Sequence, residues 1–151
     1  MIRTLKQVWG TDVRSLMVAR VLLVDDDTAS RLTLQTVLEA GGYQVDSAAS
    51  AAEALLKLDS SEYELVLSDL QMESPESGLQ VLAHAKLKEY KPATAIITAY
   101  HEGKSHNWKR NTTTVLIEPE DLPELLGQVA ALVSERATRK VQRELRHSST
   151  S

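Results

Sequence analysis

Five short aliphatic runs recur along the chain: ARVLLVD (19–25), YQVDSA (43–48), YELVLSD (63–69), ATAIITA (93–99) and TTVLIE (113–118). Their recurrence at regular intervals constrains the fold more than any other feature. Several are continuous rather than alternating, the pattern of strands covered on both faces in a parallel sheet. The covering helices are marked by apolar residues at helical spacing: Leu32, Leu34, Val37 and Leu38 up to the Gly41-Gly42 stop; Ala51, Ala54, Leu55 and Leu58; and Leu79, Val81, Leu82, Ala85 and Leu87. The alternation predicts a (βα)5 chain of the α/β class, a doubly wound, five-stranded parallel sheet. Such sheets bind ligands beyond the carboxyl ends of their strands.

At 151 residues there is room for one such domain and little more. Residues 18–133 account for it. Residues 1–17 precede the first strand without clear periodicity, and because MVARVLLVDDD is itself a natural beginning, Met17 is a candidate translation start. After Asp121-Leu122-Pro123-Glu124 a last, longer helix carries Leu125, Leu126, Val129, Leu132, Val133, Ala137, Val141 and Leu145. Residues 134–151 form a charged extension of it, with Arg136, Arg139, Lys140, Arg143 and Arg146. The expectation is a solvated helix end whose cations suit the negative pole of the helix, with partner docking or a homodimer through the Val141/Leu145 side as the alternatives.

Bulk chemistry excludes several classes. The chain has no cysteine, hence no disulfide framework and no zinc site of the sulfur type. No run approaches the roughly 18 apolar residues of a membrane span, and the N-terminus lacks the apolar core of a secretion signal, so a cytoplasmic protein without membrane contact is expected. A net charge of -4 makes nucleic acid an unlikely partner for the domain as a whole.

The strand ends define the chemistry. Strand one ends in Asp25 and Asp26, strand three in Asp69, strand four in Thr98 and strand five in Glu118. Carboxylates gathered on one edge suit a hard divalent cation, Mg²⁺ or Mn²⁺. Alone, the Asp25-Asp26-Asp27 triplet would be weak evidence, because Asp27 or Thr28 is equally well placed to cap the helix that follows. The histidines make no site: His101 and His106 are five apart, which fails the HExxH spacing. Trp108, beside Lys104, Lys109 and Arg110, reads as an aromatic packed beneath a solvated loop.

VLLVDDD, LVLSDLQM and AIITAY, in that order and at those spacings, resemble the receiver domain of two-component response regulators, over residues 18 to 133. The resemblance implies a flavodoxin-like sheet of order 2-1-3-4-5. It also implies phosphorylation of Asp69 by a histidine kinase or phosphotransfer protein. Mg²⁺ would be held by Asp26, Asp69 and the backbone carbonyl of Gln71, with Asp25 acting through water, and Thr98 would be the switch that senses the phosphoryl group. Output would pass to a downstream protein partner, since the chain has no room for an output domain. No independent enzyme activity is implied beyond slow hydrolysis of its own phosphoryl group.

The chain departs from the family pattern in three places. Glu118, before Pro119, stands where the family has lysine; at 4 Å two unit charges interact by roughly 4 kcal/mol at an effective dielectric near 20, so the exchange penalises a phosphorylated state. Glu118 could instead turn away, or join the metal shell. Val115 replaces the family's aromatic residue, with Tyr100 as a substitute ring near the switch. The loop after Asp69, MESPESG, keeps Met72 but places Pro75 and Gly78 late, and YHEGKSHNWKRNTT predicts a short or irregular fourth helix. These departures support an alternative, a degenerate receiver acting as a phosphorylation-independent interaction or dimerisation module. A haloacid dehalogenase-type phosphohydrolase ranks far below, because its DxDxT signature needs threonine where Ala29 stands.

Overall fold

The computed structural model describes residues 18–69, 72, 74–97, 115–117 and 122–150. Its strands are β1 (Arg20–Val24), β2 (Gln44–Ala48), β3 (Leu65–Asp69), β4 (Ala93–Ile97) and β5 (Val115–Ile117). The helices are α1 (Thr28–Ala40), α2 (Ala51–Ser60), α3 (Pro75–Lys86) and α4 (Leu122–Thr150). All strand pairings are parallel, in the order β2-β1-β3-β4-β5. This is the expected doubly wound sheet. β1 lies between β2 and β3, with Val24 level with Ala48 on one side and Ser68 on the other.

Alternation along the buried strands divides the interior into two cores. Val21, Leu23, Leu65, Leu67, Ala95 and Ile97 point to the side covered by α1 and α4, where Leu34, Leu38, Leu125, Val129 and Leu132 meet them. Leu22, Val24, Val66 and Ile96 point to the other, against Ala54 and Leu58 of α2 and Val81, Leu82 and Ala85 of α3. Continuous apolar strands are thus required, because each face of the sheet has its own cover.

Two predicted core positions fall outside it. Leu32 lies on the far side of α1 from Leu34 and Leu38 and is 56% exposed, and Leu87, the residue that caps the end of α3, is 81% exposed. A third difference is larger. Arg136, expected in a solvated extension, is only 8% exposed: its Nε donates to Lys91 O at 3.0 Å and its Nη2 to Tyr90 O at 2.6 Å. These two carbonyls belong to the turn before β4, in which Lys91 holds a left-handed backbone (φ 49). The guanidinium fork fits two adjacent acceptors, which is why a cation can close a buried edge here.

Burial raises the pKa of Tyr43, Tyr63 and Tyr90 above the ordinary 10.0, with Tyr90 pushed up to about 12. Tyr63 is fully buried and donates to the Asp46 carboxylate at 2.7 Å, whose charge also opposes a phenolate; Tyr90 donates to Leu58 O at 3.0 Å. Because these folded-state values are raised, the stability the phenols contribute is complete below pH 10 and is lost as pH climbs toward 12. An ultraviolet titration of phenolate should therefore show these three tyrosines ionising later in the native chain than in the same chain in denaturant.

Candidate metal centre

The loop after β1 and the last residue of β3 bring Asp25, Asp26 and Asp69 together, with one carboxylate oxygen from each lying within 4.8 Å of the others. Their environments differ. Asp25 is 2% exposed, Asp26 is exposed and Asp69 is intermediate. Backbone contacts fix the Asp25 end: its N–H donates to Ala48 O at 3.0 Å, its Oδ1 accepts the Asp27 N–H at 2.9 Å, and Arg31 donates to its carbonyl at 2.8 Å. The buried acid is held from three directions before any ligand arrives.

Asp27 does not belong to this group. Its carboxylate accepts from Ser30 N–H at 2.8 Å and caps α1. Asp27→Ala is therefore expected to cost about 1 kcal/mol of stability in chemical denaturation while leaving Mg²⁺ affinity near its original value, because the Asp27 contact to Asp25 is made by backbone. Asp27→Ser should retain most of that stability.

Close packing places Asp69. Ser68 is fully buried and small, and Gly78 of α3 lies so close that a Cβ there would stand 2.6 Å from Asp69 O and 3.4 Å from Ser68 Oγ. Met72 is buried and joins the core under α2 and α3. α3 is capped at its start by Ser74, whose hydroxyl accepts from Ser77 N–H at 3.2 Å, with proline in its first turn.

The donor set fits a hard cation. Three carboxylates this close repel one another, and oxygen-only ligation with room for water and carbonyl oxygen is the chemistry that Mg²⁺ accepts. Of the other expected site residues, Gln71, Thr98 and Glu118 lie outside the described residues, as do Met17, Tyr100, His101, His106, Trp108 and the expected fourth helix. Val115 is placed by its backbone, level with Ala95 of β4. Arg31 and Gly78 carry contacts at the site that periodicity did not mark; the signal for Arg31 was its place one helical turn after Asp27.

A family model described as the response regulator receiver domain matches residues 21–130. The transcriptional regulatory protein ResD of Bacillus subtilis is 30% identical over 118 residues, covering 76% of this chain and 48% of its own length. BasR of Escherichia coli is 31% identical over 116 residues, with coverage of 76% and 52%. The chain thus spans about half the length of these curated relatives. Among solved structures, a CheY-like receiver domain protein from Methanospirillum hungatei superposes with a TM-score of 0.70 at 26% identity, covering 81% of this chain and 98% of that one. TrrA from Thermotoga maritima, solved in complex with Mg²⁺-BeF, gives 0.66 at 30% identity, with 76% and 99% covered.

Proposed function

The chain belongs to the response regulator receiver domain family, and from that premise we propose that it is a phospho-receiver modified on Asp69. The observation that carries the reading is the convergence of Asp25, Asp26 and Asp69 from two strand ends to within 4.8 Å. Asp26, Asp69 and the backbone carbonyl of Gln71 would hold Mg²⁺ (or Mn²⁺) directly and Asp25 through water. Bound there, the cation would neutralise charge building on the transferring phosphoryl oxygens.

The protein's own residues do the rest. An Asp69 carboxylate oxygen attacks phosphorus on the phosphohistidine of a kinase or phosphotransfer protein; the new O–P bond forms as the P–N bond breaks, and the imidazole leaves, taking a proton from solvent. Gly78 and Ser68 hold the Asp69 backbone so that the attacking oxygen stays beside Asp26. Thr98 then turns its hydroxyl to the phosphoryl oxygens and rearranges the loop after β4, which a protein partner reads. Slow hydrolysis of the acyl phosphate resets the domain. The reading places the protein in the cytoplasm, consistent with the finding that no described helix is long and apolar enough to cross a membrane.

Glu118 and Val115 favour a second reading, in which the fold serves as a phosphorylation-independent interaction module. Intact mass after treatment with acetyl phosphate and Mg²⁺ separates the two. One labile phosphoryl group, absent from Asp69→Asn, is expected for the receiver. Mg²⁺ binding without any addition would support the module and make Glu118→Lys the decisive variant.

A further inference from the structure

Leu132, Glu135, Arg136 and Arg139 recur along α4 at the spacing that keeps side chains on one helix face. Leu132, Glu135 and Arg139 line a cleft of about 320 Å³, bordered also by Lys86 at the end of α3 and by Pro92, Ala93 and Thr94 where β4 begins. That volume is at the lower end of the range for small-molecule sites, roughly 300–1,000 Å³.

The cleft is preformed. Arg136 binds Tyr90 O and Lys91 O and so fixes the turn that leads into Pro92. Ala93 N–H donates to Glu64 O at 2.9 Å, which ties the next residue to the sheet. Pro92, Ala93 and Leu132 are buried and form an apolar lining; Lys86, Glu135 and Arg139 are exposed and form a charged rim. Thr94, half-buried, adds a hydroxyl between the two.

The charges specify a ligand. Two cations and one carboxylate leave the rim with an excess of one positive charge, on a chain whose net charge is -4. We propose that the cleft is a binding site for a small amphipathic monocarboxylate. Its carboxylate would lie between Lys86 and Arg139, whose planar fork suits two carboxylate oxygens, and its short apolar chain would cover Pro92, Ala93 and Leu132. Glu135 supplies the selectivity. A dicarboxylate brings its second anion against Glu135, and an alkylammonium of the same length meets two cations.

The cleft is separate from the acidic cluster. Asp69 is level with Ile97, the last residue of β4, whereas the cleft lies at Ala93, its first. Occupancy therefore neither requires nor blocks phosphorylation, and the two readings can fail independently.

Titration of the isotope-labelled full chain, followed by amide correlation spectra, is the test. Hexanoate is the probe, with adipate and hexylammonium for comparison. Expected are saturable shifts at Ala93, Thr94 and Leu132 with hexanoate, and weaker effects of the other two. Arg139→Gln and Lys86→Gln should each weaken hexanoate binding about tenfold, the loss of one charge-assisted hydrogen bond. Both side chains are exposed, so spectra outside the cleft should stay unchanged and show that the fold is intact. Glu135→Gln should strengthen adipate binding. No saturable shift with hexanoate overturns the proposal, as do shifts confined to residues elsewhere. So does an equal response to hexylammonium, a native preference for adipate, or hexanoate binding indifferent to both Arg139→Gln and Lys86→Gln.

Discussion

Arg136→Ala is expected to lower the unfolding free energy by about 2–4 kcal/mol, the largest loss predicted for any charged residue described above. The side chain is nearly buried, and its removal leaves Tyr90 O and Lys91 O without donors in a turn where Lys91 already holds φ 49. Arg136→Lys should recover only part of the loss, since one ammonium cannot reproduce two divergent N–H donors from a planar fork. Chemical denaturation of the three proteins measures this directly. Equal stability of wild type and Arg136→Ala would mean that water replaces the guanidinium at no cost.

The second large effect is expected at Gly78. A methyl group there meets Asp69 O at 2.6 Å, a backbone atom that cannot swing aside, so α3 or the end of β3 must shift. Gly78→Ala should cost about 1–3 kcal/mol as an overpacking change and also slow phosphoryl uptake from acetyl phosphate, because the displaced atom belongs to the acceptor residue. Gly127→Ala is the control: with open space around its Cβ it should stabilise the chain by about 0.5–1 kcal/mol by raising helix propensity. If both substitutions stabilised the chain, the close approach of α3 to Asp69 would be wrong.

Strand content was legible in the sequence because burial on both faces leaves an unbroken aliphatic run, and the acidic cluster was legible because aspartates follow two of those runs. Asp27 was correctly ambiguous: its neighbours go to the acidic cluster and it goes to the helix. Arg136 was misread because hydropathy assigns a cation to solvent, and only the tertiary structure shows two carbonyls waiting at the level of that turn. Leu32 and Leu87 were misread for the opposite reason, since an apolar residue in a helical segment invites a core assignment whatever its angular position. The contact at Gly78 joins two segments through a missing side chain, and an absence has no periodicity to detect.

The parallel order of the sheet carries one more implication. Because α1, α2 and α3 each start directly after a strand, all three begin on the edge that holds Asp25, Asp26 and Asp69. Each start carries roughly half a positive charge from its aligned peptide groups. An incoming dianion therefore meets a favourable field made by main chain, which persists where the family's lysine is replaced by Glu118. No single side-chain exchange can abolish that field; only unwinding the first turns would.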